Sequence, residues 1–255
     1  MSASQAQREQ VARLAKLVEG AVAEAPRAES AVFSTGCRGL DRCLPEGGLA
    51  RGAVIEWLAD GPGAGAGLLA LAAAREAQQA WAERGGGAVA IIDRLRSFYP
   101  PAAAAWGLDL ANTLVVHPAS EADERWALDQ ALRCEHLAAV VAWPRRLDGR
   151  TFRRLQLAAE ASGTVGLLVR PWETRRDPSW SHVRWAVRPG PAEAGGWHLA
   201  VRLLRTRGAS LYREGSGQRV EMVIEIDPTS GAIHETRAGD LAPQLARPAM
   251  GPSQA

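Results

Sequence analysis

Short apolar runs alternate with longer, helix-like stretches from residue 53 to residue 169. The apolar runs are AVIEWL at 53–58, AVAII at 88–92, TLVV at 113–116, LAAVVA at 137–142 and TVGLLV at 164–169. The stretches between them cover 67–84, 100–107, 121–135 and 149–162. Strands that are apolar along their whole length and alternate with helices are typical of a parallel sheet covered by helices on both faces. The pattern therefore predicts an α/β fold.

After Pro171 the pattern changes, because strand-like runs follow one another without long helices between them. These runs lie at 183–187, 197–204, 220–226 and 232–236. The sequence Asp-Pro-Thr-Ser-Gly at 227–231 predicts a turn between the last two runs. We therefore expect an antiparallel extension of the same sheet, beginning at about residue 180.

The two ends of the chain differ from this central region. Residues 1–30 include apolar residues at helical spacing, which predicts an N-terminal helix that packs either on the same domain or on another protein. Residues 31–240 are expected to form one domain, and the proline-rich residues 241–255 a disordered tail. The polar N-terminus and the lack of a long apolar run predict a cytoplasmic protein without membrane contact.

A glycine-rich loop stands between the first predicted strand and the first long helix. It reads GPGAGAGLL from residue 61, at the place where an ATP-binding chain carries G-x-x-x-x-G-K-[ST]. Gly67 stands where a lysine would contact phosphate, and Leu68 stands where a hydroxyl would bind Mg²⁺. The other glycines of the loop are Gly61, Gly63 and Gly65.

No shifted alignment restores the lysine, because Lys16 is the only lysine in the chain. Backbone N–H groups and the helix N-terminus remain at the loop, so weak phosphate binding stays open. The loop otherwise predicts no nucleotide cofactor.

Several motifs resemble RecA in their order along the chain. They are FxTG at 33–36, GLD at 39–41, GGL at 47–49, G-x-[VI]-x-E at 52–56, I-D at 92–93 and G-[VL]-D-x-x-N at 107–112. The resemblance covers about residues 33–188 and implies a RecA-like P-loop core. By position it puts Leu95 where RecA has its catalytic glutamate, and Ala142 or Trp143 where RecA has the aspartate that supports Mg²⁺. The resemblance therefore implies a degenerate P-loop ATPase that is not an enzyme.

Three further segments resemble the ImuA family, whose members are RecA relatives without an active site. They are WPRRL at 143–147, FRRLQLAAEA at 152–161 and LLRTRG at 203–208. This resemblance implies a non-catalytic role in SOS-induced translesion DNA synthesis and DNA repair. The implied partners are an ImuB-type inactive Y-family polymerase and an error-prone DnaE-type polymerase, with RecA as a further candidate. Two alternatives stay open, a SulA-like cell-division inhibitor and a DNA-binding RecA paralogue with residual nucleotide binding.

Arginine is concentrated in residues 144–213, which hold 14 arginines against 5 acidic residues. The candidate partner or DNA surface, called the arginine surface below, consists of Arg145, Arg146, Arg150, Arg153, Arg154, Arg175 and Arg176. Five of these arginines surround a strand end, where doubly wound sheets bind ligands. The other two lie between Trp172 and Trp180, a combination that binds single-stranded nucleic acid. Weak single-stranded DNA binding, an acidic protein partner and a solvated surface all remain open.

The tryptophans, cysteines and histidines are expected to have structural roles. The nine tryptophans lie mostly beside apolar strand or helix positions, which predicts that they belong to the core. Cys37, Cys43 and Cys134 form no metal-binding pair and are expected to be buried thiols. The five histidines are scattered over separate segments, so we expect no metal site.

Overall fold

The computed structural model describes residues 32–61, 63–82, 87–190, 197–207 and 221–236. The predicted N-terminal helix at 1–30 and the predicted tail at 241–255 lie outside the described residues. The strands are β1 Val32–Phe33, β2 Leu49–Ala50, β3 Val54–Ala59, β4 Ala88–Ile92, β5 Thr113–Val116, β6 Leu137–Ala142, β7 Val165–Pro171, β8 Val183–Pro189, β9 Trp197–Thr206, β10 Glu221–Ile226 and β11 Ile233–Glu235. The helices are α1 Arg38–Asp41, α2 Ala66–Ala82, α3 Pro100–Ala105, α4 Glu121–Leu132 and α5 Gly149–Ser162, with 3₁₀ turns at Leu110–Asn112 and Trp172–Arg176.

Within the described residues, nine strands form one large sheet in the spatial order β11, β10, β9, β8, β3, β7, β6, β4, β5. The six strands from β8 to β5 run parallel to one another. The strands begin and end within about two residues of the apolar runs in the sequence, because a strand buried on both faces needs apolar side chains at every position. The predicted α/β class with a mostly parallel sheet is confirmed.

Core residues alternate between the two faces of the sheet. Ile55 and Trp57 of β3 belong to a core that includes the apolar side of α2, whereas Val54 belongs to a second core formed with α4 and α5. Each large apolar side chain buried in this way contributes about 1.5–3 kcal/mol to stability. Two buried cores on opposite faces explain why the strands of the parallel region contain so few polar residues.

Local signals set the bounds of the two helices on the second face. The Ser120 side chain accepts a hydrogen bond from the backbone N–H of Asp123, and Asp148 accepts one from Thr151, so both residues act as helix N-caps. Gly163 ends α5 with φ of +80°, a left-handed conformation that glycine adopts without strain. The sequence prediction for α5, residues 149–162, matches the observed bounds.

The antiparallel part of the sheet begins one strand later than the sequence suggested. β8 pairs in parallel with β3, with Val183 opposite Ile55, and only β9, β10 and β11 pair in antiparallel fashion. Parallel connections usually need a crossover of about a dozen residues or more, often with a helix, and residues 172–182 contain only a 3₁₀ turn. Because this connection is short and lacks a long helix, the sequence predicted an antiparallel strand at 183–187, and that prediction is wrong.

The N-terminal motifs form a small unit beside the large sheet. β1 and β2 pair antiparallel, with Phe33 opposite Leu49. The carboxylate of Asp41 at the end of α1 accepts hydrogen bonds from the Ser34 hydroxyl at 2.6 Å and the Thr35 backbone N–H at 2.7 Å. The FxTG and GLD motifs of the sequence are thus joined by hydrogen bonds.

The tryptophans do not all lie in the core. Trp57, Trp81 and Trp185 are buried, but the other six are partly or largely exposed. Trp106 and Trp143 are partly buried and pack against the main core, so five of the nine tryptophans lie in it or against it, as the sequence predicts for most of them. The other four are not part of the core, because neighbouring apolar letters do not distinguish a strand interior from a strand end. None of the helices in the described ranges has the length and apolar character needed to cross a membrane.

Candidate functional site

The glycine loop, residues 60–65, joins the carboxyl end of β3 to the first turn of α2. Gly61, Gly63 and Gly65 all have positive φ, between +73° and +98°. At Gly65 a Cβ atom would also lie 2.5 Å from the side chain of Leu199 on β9. The loop therefore needs glycine for its backbone conformation and, at Gly65, for close packing against the antiparallel part of the sheet.

The lysine position of a phosphate-binding loop faces a tryptophan here. A Cβ atom at Gly67 would lie 3.6 Å from the indole nitrogen Nε1 of Trp143, which follows β6. The neighbouring Leu68 is half-buried and contacts the main core. An indole ring and an isobutyl group thus lie where the sequence motif would place a cation and a metal-binding hydroxyl.

An apolar cleft opens beside this loop at the carboxyl ends of the parallel strands, and it is called the loop cleft below. It encloses about 490 Å³. Its lining consists of the glycine loop, the start of α2, and the side chains Leu68, Leu71, Ser97, Phe98, Tyr99, Ala102, Ala103, Trp106, Trp143 and Val169. Trp106 is held in place because its indole N–H donates to the Pro228 carbonyl at 3.2 Å. The sequence did not reveal this cleft, since four separate segments of the chain line it.

The positions expected to have lost ATPase chemistry differ in exposure. Leu95 is 61% exposed in the turn after β4, whereas Ala142 is fully buried at the end of β6. Neither side chain can accept a proton or hold a metal ion.

The nearest carboxylate in the sequence, Asp93, has a structural role that sequence reasoning missed. It is buried and accepts hydrogen bonds from the backbone N–H of Ser97 at 3.1 Å and of Phe98 at 2.8 Å. The carboxylate therefore holds the turn that presents Phe98 and Tyr99 to the loop cleft.

The two arginine-bearing segments come together in space. The guanidinium of Arg153 on α5 stacks over the Trp180 ring, 4.7 Å from its centroid, and also donates to Gln156. A Cβ atom at Gly149 would lie 3.4 Å from Pro178. The segment after β6 and the segment after β7 are therefore neighbours at the carboxyl edge of the sheet.

The arginine surface divides into engaged and unengaged members. Arg154 forms an ion pair with Asp129 of α4 at 3.1 Å, and Arg175 lies over the Trp172 ring at 4.9 Å. Arg153 is engaged through Trp180 and Gln156 as described above. The other four members, called the unengaged arginines below, are exposed and have no ion-pair partner among the described residues. These are Arg145, Arg146, Arg150 and Arg176.

A buried acid–arginine cluster, comprising Glu56, Arg170, Arg184 and Asp177, fixes the segment that follows β7. The fully buried carboxylate of Glu56 lies 2.8 Å from Nη1 of Arg170 and 3.0 Å from Nε of Arg184. Arg170 also reaches Asp177 at 3.2 Å, and Arg184 donates to the Thr174 carbonyl at 2.8 Å. Burial lowers the pKa of Arg184, and the charge of Glu56 counteracts that shift.

Sequence reasoning did not single out the acid–arginine cluster. The one sequence signal for it is Glu56, a carboxylate within the apolar run at 53–58. A charge buried in a strand requires a partner of opposite charge, but the sequence does not show which one. Across the described ranges, no group of three or more His, Cys, Asp or Glu side chains could hold a metal ion.

The amino-acid sequence was compared with protein-family models and with curated proteins. No protein-family model matches the chain. The chain is 30% identical over 175 residues to the protein named Protein ImuA of Caulobacter vibrioides, and the same similarity is found in two strains of that organism. The matched region covers 65% of this chain and 72% of each relative.

Proposed function

The chain belongs to the ImuA family, and from this membership we propose that it is a non-catalytic accessory protein of SOS-induced translesion DNA synthesis. Its core is RecA-like in this proposal. The connection of β3 through the glycine loop to α2 supports that assignment, because P-loop folds use the same strand, loop and helix. The RecA-like motifs of the sequence agree with it.

The residues at three motif positions carry the proposal that the chain is not an ATPase. Phosphoryl transfer from ATP depends on a cation at the phosphates, a bound Mg²⁺ and a group that orients the attacking water. Gly67, Leu68 and Leu95 stand at the three positions where the motif would supply these groups, and none can. The apolar loop cleft beside them also offers little to offset the cost of burying a triphosphate.

A phosphate-release assay tests this part of the proposal. The purified chain, with Mg²⁺ and ATP and with or without single-stranded DNA, is expected to release phosphate at the rate of the protein-free control. Hydrolysis that rises in proportion to protein concentration, and persists after a second purification step, would show that other residues supply the catalytic groups.

The chain is proposed to act as a scaffold for an ImuB-type protein and an error-prone DnaE-type polymerase, with RecA as a further partner. The four unengaged arginines support this role, because exposed charges on a rigid edge attract an oppositely charged surface and orient it. We expect the chain to co-purify with an ImuB-type protein as a complex of defined stoichiometry. Absence of such a complex at micromolar concentrations would contradict the scaffold role.

Weak binding of single-stranded DNA is a second proposal for the arginine surface. The stacks of Arg153 on Trp180 and of Arg175 on Trp172 support it, since aromatic and arginine side chains together bind unpaired bases. Fluorescence anisotropy with a labelled oligonucleotide tests it at two salt concentrations. We expect weak binding that decreases as salt rises, and anisotropy unchanged at low salt would exclude DNA as a ligand.

A further inference from the structure

The loop cleft has the size and walls of a site for an apolar side chain. Its volume of about 490 Å³ falls within the range of about 300–1,000 Å³ that is usual for ligand sites. Its walls combine aliphatic and aromatic side chains, and Tyr99 at its mouth is 67% exposed. Leu95, in the same turn, is 61% exposed and adds a second exposed apolar side chain to that turn.

Exposed arginines adjoin, in sequence, the residues that line the loop cleft, and they are called the arginines of the rim below. Arg96 precedes the lining residues of the turn after β4, and Arg145 and Arg146 follow Trp143 closely. All three arginines are exposed, and none has an ion-pair partner among the described residues. The exposed acidic residue within the glycine loop itself is Asp60.

We propose that the loop cleft is a docking site for a partner protein segment that carries a large apolar side chain flanked by Asp or Glu. The apolar anchor enters between Leu68, Phe98 and Trp143, and the acidic flanks contact the arginines of the rim. This inference rests on the proposed scaffold role, because it names the kind of segment through which a partner binds.

A nucleobase fits the loop cleft less well than an apolar side chain. A base brings ring nitrogens and exocyclic groups that need hydrogen-bond partners once they are buried. The Ser97 hydroxyl already donates to Asp93 at 3.3 Å, and the Trp106 indole donates to Pro228. The other side-chain polar groups of the lining are the Tyr99 hydroxyl and the Trp143 indole N–H, and the rest of its surface is mostly apolar, so it suits an apolar anchor better than a base.

Selection from a random peptide library tests this inference without knowledge of the partner. Peptides of about 12 residues displayed on phage are selected on the full chain, because peptide segments of this size can fill a groove. We expect the enriched peptides to pair a large apolar residue with Asp or Glu. Failure to enrich any peptide, or enrichment of sequences that lack either feature, would overturn the proposal.

Matched substitutions locate the binding site of the enriched peptides. Ala102 lines the loop cleft, whereas Ala104 on the same helix α3 is exposed and does not line it. Ala102→Gln should weaken binding at least about tenfold by filling the cleft with a polar group, and Ala104→Gln should not. Arg145→Ser with Arg146→Ser should weaken binding several-fold, unlike Arg133→Ser at the opposite edge of the sheet.

The outcomes separate this inference from the proposed function. If Ala102→Gln leaves peptide binding unchanged, the loop cleft is not the docking site, although a complex with an ImuB-type protein can still form. If Ala102→Gln instead abolishes binding of a labelled oligonucleotide, the cleft serves DNA and the proposal is wrong. Circular dichroism and urea unfolding of each variant show whether the fold is intact.

Discussion

At the scale of single residues, Trp143 determines what a repaired glycine loop could do. A Cβ atom at Gly67 would be in van der Waals contact with the indole, so a lysine introduced there would extend beside the ring instead of beside an acidic residue that supports Mg²⁺. We expect Gly67→Lys with Leu68→Thr to recover little nucleotide binding. Adding Trp143→Asp should tighten binding of a non-hydrolysable ATP analogue at least about tenfold, or about 1.4 kcal/mol. Calorimetric titration measures the difference.

None of these variants should hydrolyse ATP, because Leu95 remains unable to orient water. A phosphate-release assay on the same proteins provides the control. Appreciable hydrolysis by the double variant would mean that another residue already acts as the base, and tight analogue binding before Trp143 is changed would mean that binding does not need an acidic residue at that position.

The structure also separates two arginines that the sequence had treated as equivalent. Arg154 pairs with the nearly buried Asp129 at 3.1 Å, whereas Arg146 has no ion-pair partner among the described residues. Arg154→Glu should lower the free energy of unfolding by about 1 kcal/mol, because two carboxylates would then face each other at a partly exposed site. Arg146→Glu should change it by less than about 0.5 kcal/mol. Urea unfolding compares the two, and equal effects would contradict the assignment.

At the scale of elements, Glu56 fixes the position of the segment between β7 and β8. Its carboxylate lies between Arg170 and Arg184, and it also accepts a hydrogen bond from the Ser181 hydroxyl at 3.0 Å. Glu56→Ala leaves the guanidinium of Arg184 without an ion-pair partner among the described residues and leaves Arg170 with Asp177 alone, so it should destabilise the protein by about 3–5 kcal/mol. Asp177→Asn, at a half-exposed position of the same cluster, should cost less than about 1 kcal/mol.

Chemical unfolding and limited trypsin digestion measure this effect. If the acid–arginine cluster anchors the segment, trypsin should cleave after Arg175 and Arg176 faster in the Glu56→Ala protein than in the Asp177→Asn protein. Unchanged stability together with unchanged cleavage would show that packing alone holds the segment in place.

At the scale of the whole molecule, the exposed arginines Arg145 and Arg146 follow the carboxyl end of β6 and have no ion-pair partner among the described residues. Reversing the charge with Arg145→Glu and Arg146→Glu should slow association with an ImuB-type partner about tenfold at low salt, because steering by charge acts mainly on the association rate. The salt dependence should become flatter, since fewer charges remain to be screened. Arg38→Glu on α1 is the matched control. Surface plasmon resonance at two salt concentrations measures both rates, and equal effects of the two variants would assign the edge arginines to solubility.

The order of elements and the loss of motif chemistry could be predicted because both are local properties. An apolar run such as 137–142 predicts a buried strand by its own composition, and the identities of Gly67 and Leu68 exclude a cation and a hydroxyl wherever the loop lies. Proline, glycine and capping residues then place the helix ends within a few residues. The sequence by itself therefore determined the fold class, the position of the glycine loop and its lack of phosphate-binding side chains.

Tertiary structure alone decided which distant residues meet. Glu56 pairs with Arg170 across 114 positions of sequence, and Trp106 reaches Pro228 across 122. Contacts between distant residues also set the direction of β8, form the loop cleft beside Trp143 and pair Arg154 with Asp129. Such contacts depend on strand order and on how helices pack against the sheet, and the apolar pattern of a segment records only that it is buried, not against which partner.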